Sequence, residues 1–121
     1  MNVTRVPLRA TMCLLFAAIA PTDAYAKSAN HCLLVVEGRT IFSGPCDYSM
    51  FDHGSFVMEE RRAKQPYFAY LTRFADGTAW GHWNGSREST HADAPLGEMR
   101  REGACWESVD ERVAGKICLE K

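Results

Sequence analysis

The chain lacks a basic excess, a long apolar run and closely spaced cysteines, and each absence excludes a class of protein. Its 14 Lys and Arg are balanced by 15 Asp and Glu, for a formal net charge of -1. No basic stripe or tail is present, which argues against nucleic acid as a partner. The longest apolar run falls short of the ~20 residues that a membrane-spanning helix needs. The sequence also has no C-x-x-C motif, so a zinc finger or a thioredoxin-like redox site is not indicated.

The N-terminus has the three parts of a secretory signal peptide. Arg5 and Arg9 precede an apolar run over residues 10–20, and Ala24-Tyr25-Ala26 follows as an A-x-A cleavage site. We therefore predict a signal peptide over residues 1–26 and a single small domain over residues 27–121. The predicted location is periplasmic or secreted, with no integral membrane segment left after processing.

The cysteines that follow the predicted signal peptide are Cys32, Cys46, Cys105 and Cys118. An even number of cysteines in a short exported chain is typical of a disulfide framework. Three connectivities are formally possible. Pairing Leu33–Val36 with Thr40–Phe42 around a three-residue loop places Cys32 opposite Cys46, and pairing Trp106 with Ile117 places Cys105 opposite Cys118. We predict these two disulfides.

Turn signals punctuate the rest of the chain at short intervals, with runs rich in Val, Ile, Phe, Tyr and Trp between them. This pattern predicts a mainly β domain, a small antiparallel sheet, sandwich or barrel of short hairpins. Asp76-Gly77 is the clearest hairpin turn. A two-residue turn there would place Tyr70 opposite Trp83, and we predict both in the core. Residues 93–103 are compatible with a helix or a strand.

No catalytic constellation is visible in the sequence. The serines lie outside any G-x-S-x-G motif, and the cysteines of the domain are assigned to disulfides. His82, His91 and Asp93 would be the candidates for a zinc site or for a base with its orienting carboxylate, although their spacing matches no metal motif. We predict no catalytic residue, no metal and no cofactor. The alternative is a small hydrolase that uses His53 or His82.

One short stretch resembles a known family. "SGPCDY", Ser43 to Tyr48, is similar to the S-G-x-x-Y motif of the periplasmic c-type lysozyme inhibitors, with one additional residue. The second motif of that family, Y-x-x-x-T-K-G, shares only a Tyr and a later Gly with "YLTRFADG" from Tyr70. The resemblance implies a compact antiparallel barrel, lysozyme or another muramidase as partner, and contacts from Ser43 and Tyr48.

These observations favour binding over catalysis. We predict an exported binding module, an inhibitor of lysozyme or of another peptidoglycan hydrolase, with a glycan-binding or envelope-interaction protein as the alternative. The predicted binding residues are Ser43, Tyr48, Trp80 and His82. The segments 43–53 and 84–95 are the predicted contact regions, because loops on a rigid scaffold usually provide recognition.

Overall fold

The computed structural model describes residues 27–121, so the predicted signal peptide, residues 1–26, lies outside the described residues. Over the described range the chain forms eight strands and one short 3-10 helix, Asp52–Gly54. The strands are β1 Lys27–Val36, β2 Arg39–Met50, β3 Phe56–Glu60, β4 Phe68–Arg73, β5 Ala79–Trp83, β6 Ala94–Glu102, β7 Cys105–Ser108 and β8 Lys116–Glu120.

The strands form a closed antiparallel barrel. Each strand pairs with the next one along the chain, and β8 pairs with β1, with Leu33 opposite Cys118. Closure leaves no sheet edge with unpaired backbone groups. The prediction of a mainly β domain is confirmed, and its architecture is the barrel. Within residues 27–121 there is no helix with the length and apolar character needed to cross a bilayer.

The core fills the inside of the barrel, because alternate residues of a strand point to opposite faces. Fully buried inward residues come from strands all around the barrel and include Leu34, Met58, Leu71, Leu96 and Ile117. Small residues make room for these large side chains. A Cβ on Gly81 would overlap Met99 Sδ, and on Gly115 it would lie 2.6 Å from Ser108 Oγ. Within residues 27–121 the inside of the barrel is therefore filled by side chains.

Both predicted disulfides, Cys32–Cys46 and Cys105–Cys118, are present. Cys105 is opposite Cys118, as predicted. The predicted register of the first hairpin is wrong, since Cys32 is opposite Gly44 and Cys46 is opposite Ala29. The turn has two residues instead of three: Glu37 and Gly38 both adopt positive φ, 53° and 75°, and Val36 is opposite Arg39. Two register shifts along β1 and β2 then bring the cysteines within bonding distance.

The predicted register of the β4–β5 hairpin is also wrong. The loop contains three residues, Ala75 to Gly77: the Phe74 N–H donates to the Thr78 carbonyl, and the Gly77 N–H donates to the Phe74 carbonyl. Gly77 has φ 93°, as the last position of such a loop requires. Tyr70 is therefore opposite His82 instead of Trp83. The core prediction for Tyr70 is wrong, because its side chain lies outside the barrel, whereas Trp83 packs against the core.

The undecided segment, residues 93–103, forms strand β6 over Ala94–Glu102. Gly97 has φ 78° and lies opposite Gly81 at a shift in the register between β5 and β6. A positive φ is favourable for glycine and costly for other residues. Gly97 thus lets β6 bend around the barrel wall.

Candidate functional site

Four ring side chains lie together on the outer wall of the barrel: Phe68 and Tyr70 of β4, and Trp80 and His82 of β5. We refer to these four as the aromatic patch. Tyr70 is directly opposite His82, and Trp80 is opposite Thr72, two residues further along. Tyr70 and Trp80 are 38% and 43% exposed. Diagonal neighbours on paired strands are within reach of large side chains, so the four rings face outward at neighbouring positions of the strand pair.

The alternation of the two strands places the rings outside. Ala69, Leu71, Ala79 and Gly81 point into the barrel and are buried. The residues between them must therefore face outward. The Phe68 and Tyr70 rings pack edge to face, with 6.3 Å between their centroids and an interplanar angle of 81°. This contact orients both rings without burying them.

A groove of about 330 Å³ begins at Phe68 and Tyr70 and runs between two loops, residues 61–67 and 84–93. Its lining combines aromatic and polar side chains: Glu59, Lys64, Gln65, Pro66, Phe68, Tyr70, Arg87, Glu88, Ser89 and Thr90. Ligand sites commonly have this composition, an apolar floor with a few polar groups around it.

Asn84 joins the two loops beside the groove. It is 4% exposed. Its Oδ1 accepts a hydrogen bond from the Phe68 N–H at 3.0 Å. Its Nδ2 donates to the carbonyls of Pro66, Ser86 and Ser89 at 3.0, 2.8 and 3.2 Å. One amide thus fixes both loops to the start of β4 and provides hydrogen-bond partners for backbone groups of both loops.

Arg87 forms the second link between the loops. Its Nη1 and Nη2 donate to the two carboxylate oxygens of Glu60 at 2.7 and 3.1 Å, and Nη1 also donates to the Gln65 carbonyl. The guanidinium lies 4.2 Å from the centroid of the Tyr67 ring. The hydrogen bonds with Glu60 raise the pKa of Arg87 above its already high ordinary value. A two-point contact of this kind fixes geometry as well as charge.

The structure brings together two of the four predicted binding residues. Trp80 and His82 belong to the aromatic patch. Ser43 is exposed on β2, away from that patch. Tyr48 is 3% exposed and belongs to the core. Its predicted contact role is therefore wrong: inward alternation from Cys46 places its ring inside the barrel.

The two predicted contact regions also differ in their outcome. Most of residues 43–53 is not a loop, since β2 continues to Met50 and is followed by the short 3-10 helix. Most of residues 84–95 does form a loop, and it borders the groove through Arg87 to Thr90. The second region is consistent with a recognition loop.

The histidines occupy separate places. His53 is exposed in the 3-10 helix, His82 is half-buried on β5, and His91 is exposed in the loop after β5. Among residues 27–121, no three His, Cys, Asp or Glu side chains are arranged to hold a metal ion. The zinc alternative with His82, His91 and Asp93 thus has no geometric support in this part of the chain.

Sequence reasoning missed Phe68, Tyr70 and Arg87 as residues of the site. A two-residue turn at Asp76-Gly77 predicts Tyr70 in the core, whereas the three-residue loop places it on the outer wall. Arg87 has no local sequence signal, since its partner Glu60 is 27 residues away. The pairing of both β3 and β5 with β4 places the loops after β3 and β5 side by side and brings the two residues together.

Comparison of the chain with protein-family models, with curated proteins and with solved structures finds no match in any of the three. The similarity to lysozyme inhibitors therefore stays a prediction based on residues 43–48.

Proposed function

We propose that the protein is an exported, non-catalytic binding module, and that it binds cell-wall glycan through the aromatic patch and the adjoining groove. The observation that supports this most directly is the grouping of Phe68, Tyr70, Trp80 and His82 on one outer surface of the barrel. Large rings left in water on a strand pair are candidates for recognition, because the core does not account for them.

The chemistry of the groove suits a sugar. Aromatic rings offer flat apolar surfaces to the C–H faces of a pyranose. Gln65 and Thr90 supply an amide and a hydroxyl, which both donate and accept hydrogen bonds. A glycan needs both kinds of partner, since its rings have apolar faces and hydroxyl edges.

The rigidity of the site favours binding as well. Two disulfides close hairpins of the barrel, and Asn84 and Arg87 fix the two loops. A site that is ordered before binding loses less conformational entropy when the ligand arrives. The same disulfides are typical of oxidising compartments, which agrees with the proposed export to the periplasm or the medium.

Co-sedimentation with purified peptidoglycan tests the proposal. The oxidised domain, residues 27–121, should sediment with the polymer, and Trp80→Ala and Tyr70→Ala should each weaken binding on the order of tenfold, as the loss of an aromatic anchor does elsewhere. Phe74→Ala is the matched control, since Phe74 is an exposed ring outside the patch. Equal losses in all three variants, or no sedimentation of the parent domain, would refute the proposal.

Inhibition of a muramidase is the second candidate function. The closed antiparallel barrel is the architecture that the resemblance at residues 43–48 implies, and Ser43 and Pro45 are exposed on β2. An inhibitor should slow lysozyme at a near-stoichiometric ratio, and Ser43→Ala should reduce its potency. Tyr48→Ala does not test this candidate, because it removes a core ring.

Hydrolysis of cell-wall substrate by the domain alone, abolished by His53→Ala or His82→Ala, would instead support an enzyme.

A further inference from the structure

The end of the barrel opposite the groove holds three cationic side chains that are not part of the proposed glycan site. Strands β2, β4, β6 and β8 all run toward this end. The last inward-facing residue at this end is Met50 on β2, Arg73 on β4, Arg101 on β6 and, just after β8, Lys121. We call these four positions the barrel mouth. In β4, for example, the inward series is Ala69, Leu71 and Arg73. Three cations thus converge where the core meets water.

The three cations lie against aromatic rings instead of carboxylates. The guanidinium carbons of Arg73 and Arg101 are 5.2 and 5.8 Å from the centroid of the Trp106 ring. Lys121 Nζ is 5.9 Å from the Tyr48 ring. Ion pairs in the described part of the chain involve other cations, namely Arg61, Arg87 and Arg112. The positive charge of the mouth is therefore not neutralised by a side-chain partner within residues 27–121.

Arg73 is held in place by its backbone and by a glycine. The Ser55 hydroxyl accepts a hydrogen bond from the Arg73 N–H at 2.7 Å and donates to the Arg73 carbonyl at 3.3 Å. The guanidinium rests against Gly54, where a Cβ would lie 2.7 Å from Nη1. Arg73 Nε is buried without a hydrogen-bond partner. A buried donor in this state is costly, and an acceptor that reached it would recover the lost free energy.

The space between the cations has an apolar floor. A cavity of about 200 Å³ is lined by the mouth residues together with Phe56, Trp106 and Leu119. No carboxylate side chain is among the described residues that line it. Two exposed rings, Phe51 and Phe74, lie in loops at the same end of the barrel. The cavity thus combines cations at its rim with rings and aliphatic side chains below them.

We propose that the barrel mouth is an anion-binding site whose ligand is a carboxylate or phosphate group attached to an apolar group. The oxyanion accepts hydrogen bonds from Arg73 and Arg101 and is attracted by Lys121. The apolar part contacts Trp106 and Leu119. Such a ligand can be a free small molecule or the head group of an anionic lipid, and both present the same chemistry.

Calorimetric titration of the oxidised domain with four probes tests the site. Phenyl phosphate and benzoate should bind, inorganic phosphate should bind more weakly, and benzyl alcohol, which lacks the charge, should bind weakest. Arg101→Gln should weaken phenyl phosphate binding on the order of tenfold, as the loss of a charge-assisted hydrogen bond does. Arg73→Gln should weaken it by at least as much. Higher ionic strength should reduce the affinity of the parent domain.

Arg39→Gln is the matched control, because it removes one exposed positive charge at the far end of β2. Its affinity for phenyl phosphate should equal that of the parent domain. Equal weakening by Arg39→Gln and Arg101→Gln, tighter binding of benzyl alcohol than of phenyl phosphate, or no binding of either anion would overturn the proposal. Arg101 is exposed, so its variant tests the site even if Arg73→Gln destabilises the fold.

Sedimentation with vesicles distinguishes the two sources of the anion. Binding to phosphatidylglycerol vesicles but not to phosphatidylcholine vesicles, lost in Arg101→Gln, would identify a lipid head group. Binding of phenyl phosphate without vesicle binding would identify a free anion. Either result supports the site, and neither depends on the glycan patch, since Trp80→Ala should leave both measurements unchanged.

Discussion

Replacing Cys32 and Cys46 together by alanine should lower the free energy of unfolding more than the same change at Cys105 and Cys118. The two loops have nearly equal sequence separations, 14 and 13, so chain entropy predicts similar losses of about 3 kcal/mol. The environments differ. Cys32 and Cys46 are 2% and 0% exposed and belong to the core cluster, whereas Cys105 is only half-buried. Replacing the first pair should therefore lower the free energy of unfolding by about 1–2 kcal/mol more, because buried atoms are removed from the core.

Urea denaturation of both double variants and of the parent domain measures this difference. The parent domain in reducing buffer is a useful comparison, because it loses the two covalent links while keeping the sulfur atoms in the core. A larger loss at Cys105 and Cys118 would contradict the burial argument. It would mean that the β7–β8 hairpin depends on its disulfide more than the packed first hairpin does.

Asn84→Ala should have the other large effect on stability. The change removes every contact of the Asn84 amide and leaves the Phe68 N–H and the Pro66 and Ser89 carbonyls without a side-chain partner, while the Ser86 carbonyl keeps the Ser89 N–H. A backbone group left without a hydrogen-bond partner lowers the free energy of unfolding by about 1–3 kcal/mol where water does not reach it. We expect a loss on the order of 3 kcal/mol in urea denaturation.

Asn30→Ala is the control for Asn84→Ala, because Asn30 is an exposed asparagine on β1. It should unfold like the parent domain. Asn84→Ala should also weaken peptidoglycan binding under conditions where the domain stays folded, since the two loops of the groove lose their common anchor. Unchanged stability and unchanged binding would show that Asn84 does not organise the site.

The sequence contained enough information to predict the fold class and both disulfides. Turn residues at short intervals separate runs of β-branched and aromatic residues, and both preferences arise from local backbone conformation. They therefore indicate where strands begin and end, whichever strands pair. Closure into a barrel was one of three architectures left open. It depends on β1 meeting β8, a contact between the two ends of the domain that no local pattern reports.

Strand register was the less predictable part. One additional residue in the loop at Asp76-Gly77 changes every partner across β4 and β5. Tyr70 thereby lies across from His82 on the outer wall, where the sequence interpretation had placed it in the core. The same limitation affected Tyr48: the S-G-x-x-Y resemblance suggested a contact residue, but alternation along β2 determines that its ring is buried.

The site itself was predictable only in part. Trp80 and His82 were identified as binding residues because aromatic side chains on one hairpin are conspicuous. The groove beside them depends on Glu60, Asn84 and Arg87, which are polar residues in unremarkable local sequence. Their roles arise from long-range neighbours: Asn84 reaches back to Pro66 and Phe68, and Arg87 reaches back to Glu60.

The most direct test of the binding proposal is a titration of the isotope-labelled domain with soluble peptidoglycan fragments, followed by NMR. The chain has three tryptophans, and each gives a separate indole N–H signal. We expect the Trp80 indole signal and the amides of Phe68, Tyr70 and Thr90 to shift with one common affinity, while the indole signal of Trp106, which is buried inside the barrel, stays unchanged. Shifts centred on Trp106 or on Ser43, with Trp80 unaffected, would contradict the proposed glycan site.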